Sequence, residues 1–229
     1  MSDHYEDFLK RLIQYRTKLN MTQERTSQAL GITQSQLSKQ ELGKTIVPYK
    51  SLVILLQMGW DVDYLLTGKH SLRRPSELTA MLNRAEQSYR KPMLRFITWA
   101  LAAGIEKSLP EFGMEVKCEL CILKMRGEGG TNESIMYEIR QVTGDAQLAM
   151  AEKLGVNIKK YRALEKVQIN PDAELLLGIY EATGCKPSLF LTTDEIENVI
   201  IDDLWSQIKP EKQKEILSIM LQVDGFLRD

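Results

Sequence analysis

Apolar residues at helical spacing predict an amphipathic helix over Phe8 to Leu19. The same spacing predicts two short helices over Thr22 to Leu30 and Thr33 to Glu41, and two more over Tyr49 to Met58 and Val62 to Leu66. A basic linker, Lys69 to Pro75, separates these from helices predicted over Glu77 to Arg90 and Met93 to Lys107, with Lys91 and Pro92 between them. Near the far end, helices predicted over Ile196 to Ile208 and Glu211 to Leu227 flank Lys209 and Pro210. Proline suits the first turn of a helix, so each half is expected to end in a helical hairpin. The middle breaks this rhythm. Phe112, Met114, Val116, Cys118, Leu120 and Ile122 alternate with Glu115, Lys117 and Glu119, which predicts a half-buried strand near 113–125, with a helix as the alternative. Such a strand must find a partner, for instance its twofold mate in a dimer. Gly127 to Thr131 reads as a flexible turn.

The pattern also repeats. Arg16, Gln23, Leu30, Gly31 and Glu41 return 124 positions later as Arg140, Gln147, Leu154, Gly155 and Glu165, with Ile32 and Leu37 answered by Val156 and Tyr161. In each copy a short helix runs into a glycine, where the chain must turn and a left-handed backbone is easiest without a Cβ. A second short helix, after Gly31 or Gly155, follows at once. Thr22 is placed to cap the first of these helices, and Asp145 can serve in the second copy. Two helices joined by a short glycine-containing turn form the unit that lays its second helix in the DNA major groove.

The residues that carry this geometry resemble the Xre/Cro family of phage-repressor-like helix-turn-helix domains. In the first copy they are the run Met21 to Glu24, the run Leu30 to Lys39, Glu41 to Lys44, and Gly59 to Leu66. In the second they are Ala149 to Val156, Leu164 and Glu165, Asn170 and Pro171, and Gly184 to Leu191. With the hairpins that the spacing predicts, over 70–110 and 194–229, and a connector over 111–131, an all-α chain is expected in which the resemblance implies two λ-repressor-like domains, residues 1–69 and 132–193. The resemblance also implies one internal ion pair per copy, Arg16 with Glu41 and Arg140 with Glu165.

Composition adjusts the picture without changing it. The chain has 229 residues and a formal net charge of −1, where a DNA-binding surface calls for a basic face. The distribution restores some of that: residues 1–70 carry nine Lys+Arg against seven Asp+Glu, +2, while residues 141–229 carry ten against fifteen, −5. Much of the acidity follows Thr193, at Asp194, Glu195, Glu197, Asp202 and Asp203, and reads as a solvated face. Three cysteines suit a reducing compartment and packed thiols, with no disulfide framework needed. Cys118 and Cys121 have metal-like spacing, but Cys185, His4 and His70 stand too far apart in sequence to complete a four-ligand site. No nucleophile, base and orienting group come at catalytic spacing, so neither an enzyme nor a cofactor is expected. The start is acidic, unlike a signal peptide, and the run Phe96 to Ile105 is too short to span a bilayer. A cytoplasmic location is expected.

In the first reading helix Thr33, Gln34, Ser35, Gln36, Ser38 and Lys39 surround Leu37, and glutamine can grip adenine bidentately. By the resemblance, Gln23 clamps a phosphate at a helix N-terminus, while Lys39 and Lys44 add phosphate contacts. The second reading helix offers Asn157, Ile158, Lys159, Lys160, Arg162 and Ala163 around Tyr161, with Gln147 at the place of Gln23. Its cations favour phosphate or guanine, with a retained fold used for dimerisation as the alternative. The expected function is sequence-specific binding of double-stranded DNA by a transcriptional regulator. The alternative is an interaction or antitoxin-like module that uses the hairpins, with DNA secondary. A homodimer is expected from apolar stripes at Leu94, Ile97 and Leu101 and at Ile216, Met220 and Val223, with a pseudo-dimeric monomer as the other possibility.

Overall fold

The structure is a computed structural model that describes residues 3–71, 74–109, 111, 113–129, 134–192 and 196–228. The described residues form helices and no strand, an all-α fold. They fall into two compact units, each visited more than once by the chain. The first comprises residues 1–71, 147–182 and 186–192, and the second 72–146, 183–185 and 193–229. Parts of the expected linker, strand, turn and acidic run (Leu72, Arg73, Phe112, Gly130, Thr131, Asp194 and Glu195) lie outside the described residues.

The first unit opens with α1 (Asp3–Lys18), acidic in its first turn and basic in its last, as the helix dipole favours. Then come α2 (Gln23–Leu30), α3 (Gln34–Glu41), α4 (Tyr49–Gln57) and α5 (Val62–Thr67). Phe8, Leu12, Leu30, Leu37, Leu52 and Leu65 build its core. Each such side chain contributes roughly 1.5–3 kcal/mol when fully buried. The core does not stop at α5. It continues through Ala173, Leu176 and Leu177 of α12 (Ala173–Thr183) and Leu191 of α13 (Ser188–Leu191). The Ala173 N–H donates to the Val47 carbonyl at 3.1 Å, and the Tyr49 hydroxyl donates to the Phe190 carbonyl at 2.9 Å. Two more helices, α10 (Gln147–Lys153) and α11 (Ile158–Glu165), complete the unit.

The second unit holds α6 (Glu77–Arg84), α7 (Gln87–Ser108), α8 (Met114–Gly127), α9 (Ile135–Thr143), α14 (Ile196–Ser206) and α15 (Pro210–Arg228). The long helix α7 packs against both α8 and α15. Gly104 permits the approach of α15, since a Cβ there would lie 2.6 Å from Ile216 Cδ1. Arg126 at the end of α8 donates to Glu138 at 2.9 Å and to Glu197 at 3.0 Å, joining α8, α9 and α14. Partnership with the two carboxylates raises the Arg126 pKa, although burial is the largest single influence and acts the other way.

Four expectations are corrected here. The segment read as a strand is α8: Val116, Glu119, Ile122 and Leu123 are buried, an i, i+3, i+6, i+7 set, so the period-2 alternation was a shadow of helical spacing in a run of good helix formers. Pro92 does not separate two helices but lies inside α7, near its start, and the break falls earlier, at Ala85 and Glu86. Leu94, Ile97, Leu101, Ile216 and Met220 are buried within the second unit, with Val223 half-buried, which removes the ground on which a homodimer was expected. The cysteines differ as well, for Cys118 is joined to Cys185 in a disulfide and Cys121 is free and exposed.

The 124-residue interval is written into the backbone. Helix α3 spans Gln34–Glu41 and α11 spans Ile158–Glu165, while α4 and α12 begin at Tyr49 and Ala173. Left-handed residues recur in step: Asn20 with Gly144, Gly31 with Gly155, and Gly43 with Val167. The turn bonds recur too. Ile32 N–H to the Ser27 carbonyl at 3.0 Å matches Val156 to Ala151 at 3.0 Å, and Lys44 to Lys39 at 2.8 Å matches Gln168 to Ala163 at 2.8 Å. Val167 is the costly member of the set. A β-branched residue at φ 55 strains the chain, whereas Gly43 at φ 68 does not, and Val167 is 65% exposed and recovers little by packing. Val167→Gly is therefore expected to raise stability by about 1 kcal/mol and Gly43→Val to lower it by about 1–2 kcal/mol in urea denaturation. Equal midpoints for both variants and the parent would refute the strain.

Candidate nucleic-acid interface

Helix α3 is locally over-determined. Thr33 caps α3 by accepting the Gln36 N–H at 3.2 Å, and Gln36 Oε1 accepts the Thr33 N–H at 2.8 Å, a complete capping box. Upstream, Thr22 Oγ1 accepts the Arg25 N–H at 3.1 Å to start α2, and Gly31 at φ 65 ends it. Leu37 is buried, which turns Gln34, Ser35, Gln36 and Lys39 outward as exposed residues, with Ser38 half-buried. Lys44 is exposed just past the helix.

Three helices of this element meet at one carboxylate. Arg16 of α1 donates to Glu41 through Nε at 2.7 Å and Nη2 at 3.3 Å, and its Nη1 donates to the Met21 carbonyl at 2.7 Å. Gln23, the first residue of α2, donates its side-chain N–H to Glu41 Oε2 at 2.7 Å, the oxygen that Arg16 Nη2 also reaches. Arg16 and Glu41 side chains are 13% and 4% exposed, so the contact is shielded from solvent screening. Gln23 therefore spends one amide N–H inside the protein. It also opens α2, whose first turn has the Arg25 N–H already bound by Thr22.

The segment 124 residues on reproduces this arrangement in part. Gln147 donates to Glu165 at 2.6 Å, and Arg140 donates to the Asp145 carbonyl at 3.4 Å, the counterparts of Gln23 to Glu41 and Arg16 to Met21. Asn157 takes the place of Thr33 and caps α11 by accepting the Lys160 N–H at 2.8 Å. Arg162 Nε donates to Gln147 Oε1 at 3.1 Å, a contact not foreseen because the two residues are 15 apart in sequence. Lys159, Lys160 and Arg162 are exposed around the buried Tyr161.

The structure thus sorts the candidate contacts. Gln34, Ser35, Lys39, Lys44, Lys159 and Lys160 present exposed polar or charged groups. Thr33, Gln36 and Asn157 are committed to capping through an oxygen each, and Gln23 and Gln147 are committed to a glutamate. The capping role of Gln36 was readable from Thr33-x-x-Gln36, since that spacing is the capping-box signature. Among the described residues no group of three or more His, Cys, Asp or Glu side chains is placed to hold a metal ion. None of the described helices is long and apolar enough to cross a membrane.

A family model described as helix-turn-helix matches residues 12–58, which takes in the second part of α1 and all of α2, α3 and α4. That segment is a helix-turn-helix of the DNA-binding, regulatory kind. The comparisons with curated proteins and with solved structures returned no match.

Two expected outcomes follow from this geometry. Arg16→Ala strips the buried Glu41 of its guanidinium and should lower stability by about 3 kcal/mol, read as a shift in a chemical denaturation midpoint. A change of under about 1 kcal/mol would mark the pair as an exposed one. In DNA binding, Gln34→Ala should cost roughly 1–3 kcal/mol against the preferred sequence only. Lys39→Ala or Lys44→Ala should weaken binding to every sequence and flatten the salt dependence by about one phosphate each. Gln36→Ala should instead lower stability by about 1 kcal/mol through its cap. Isotherms unchanged for Gln34→Ala, Lys39→Ala and Lys44→Ala would show that α3 is not a reader.

Proposed function

We propose that this protein is a cytoplasmic transcriptional regulator that binds double-stranded DNA sequence-specifically through two tandem λ-repressor-like helix-turn-helix copies, with α3 and α11 as the readers. Gln34, Ser35 and Gln36, helped by Ser38, face one half-site, and Thr33 and Gln23 hold the start of their helices against the backbone. Lys39 and Lys44 neutralise phosphates. In the second copy Lys159, Lys160 and Arg162 face the other half-site, with Asn157 and Gln147 in the structural places of Thr33 and Gln23, and an Arg140–Glu165 pair standing for Arg16–Glu41.

One observation carries the paired reading. Aligned on the left-handed Gly59 and Gly184, one residue beyond the 124-residue step because α12 is longer than α4, Asp63 and Ser188 take matching places in the two segments. They bind each other: the Ser188 N–H donates to Asp63 Oδ1 at 2.8 Å and its hydroxyl to Oδ2 at 2.6 Å, both residues being buried. A residue meets its own counterpart only close to a twofold axis, which is how an isologous dimer is built. The continuous core from α5 into α12 and α13 supports the same view. The chain is on this reading a pseudo-dimer of unlike halves that needs no second copy.

A different reading, an antitoxin-like interaction module, is favoured by an apolar hollow of about 120 Å³ in the second unit, lined by Trp99, Ala103, Gly104 and Ile219. Selection of bound sequences from a random duplex pool separates the two, since an interaction module returns no motif. For the regulator, the recovered site should be asymmetric, because unlike readers meet its two halves, with half-site centres about 34–36 Å apart. Light scattering should find a monomer protecting it. A palindromic site bound by a homodimer would overturn the pseudo-dimer.

A further inference from the structure

We propose that Cys118 and Cys185 are a reversible thiol modification site, closed by two-electron oxidants of the hydroperoxide class, that locks the turn between α12 and α13. The idea rests on the cytoplasmic regulator reading above. A reducing compartment keeps structural disulfides open, and the bonds that do form there are mostly transient or sensing.

The bridge spans an ordinary distance inside the protein. Both cysteines are buried, and their Cα atoms lie 6.6 Å apart, inside the range that a disulfide bridges. A second contact holds the same turn independently of sulfur. Gly184, at φ 74, seats so tightly on the first turn of α8 that a Cβ there would lie 2.9 Å from the Glu115 nitrogen. The Cys185 N–H is bound by Thr183 Oγ1 at 3.2 Å, which shapes the turn itself. Glycine is needed there both for the left-handed backbone and for the close approach. The two sulfurs therefore stay neighbours whether or not they are bonded. Cys121, one helical turn along α8 and exposed, is not part of the pair.

The chemistry balances with the oxidant named. One thiolate attacks hydrogen peroxide, the O–O bond breaks, and a sulfenic acid and hydroxide form. The second thiol attacks that sulfur, an S–S bond forms, and water leaves, so two thiols and one peroxide give one disulfide and two waters. A small dithiol returns both cysteines by exchange. Cys185 stands three residues before Ser188, the residue that binds Asp63. Fixing the turn fixes the approach of the chain to that contact, so the oxidised protein is expected to bind DNA more tightly.

The test uses the whole protein, treated with hydrogen peroxide or with dithiothreitol, then blocked with iodoacetamide, digested and mapped. Oxidation should link Cys118 to Cys185 while Cys121 carries the blocking group, dithiothreitol should undo the link, and Cys121→Ser should leave the map unchanged. A Cys118–Cys121 link, a Cys121 link between chains, or no link overturns the pair. Duplex from the selected pool should bind about fivefold or more tightly after oxidation, and Cys185→Ser, checked for retained helicity, should lose that response. Equal affinity in both states overturns the coupling. No binding in either state sinks the regulator reading instead, while the peptide map still decides the pair.

Discussion

One buried carboxylate organises the DNA-binding element. Glu41 closes α3, and it is reached by Arg16 from α1 and by Gln23 from the first position of α2. Without that convergence the reading helix would be an eight-residue segment with a single fully buried side chain of any size, Leu37, to hold it. Short isolated helices are marginal in water, so α3 depends on its cap, its packed leucine and this contact together. The ion pair adds little net stability by itself, because desolvation offsets much of its Coulombic gain. Its effect is geometric: it sets the angle at which α3 leaves α2.

The elements that the sequence revealed were those in which local chemistry agreed with the tertiary outcome. Thr22, Gly31, Thr33 and Gly43 each place a cap or a left-handed turn that any chain would favour at those residues. The Arg16 and Glu41 places followed from the resemblance and lie 2.7 Å apart. The failures came where sequence and environment carry the same letters for two structures. In α8 the residues Met114 to Ile122 satisfy a period of two and a period near 3.6 at once, and the choice was made by packing against α7 and α9. Pro92 was read as a boundary because proline suits the first turn of a helix, yet it is the sixth residue of α7, past the Arg90 N–H that already bonds back to the Glu86 carbonyl. Long-range pairings such as Asp63 with Ser188 and Cys118 with Cys185 left no local signal at all.

The same limit governs the site. Exposure of Gln34 and Lys39 follows from one buried leucine and was readable. The division of labour among glutamines was only half readable. Gln36 announces its cap by spacing, whereas the engagement of Gln147 by both Glu165 and Arg162 appears only once the helices are packed. Such side chains can hold a helix in place or read a base, and a hydrogen bond already made inside the protein weighs toward the first.

The Asp63–Ser188 contact has a consequence for dose. Separate subunits must first find one another, so occupancy of a two-part site rises steeply with protein concentration. Two readers joined in one chain, as proposed here, meet at an effective concentration set by the chain itself and not by the cell. Occupancy then follows a simple hyperbola, graded from the first few molecules. Such joining also releases a symmetry constraint: a substitution in a homodimer alters both half-sites together, whereas α3 and α11, whose sequences differ, would change one residue at a time.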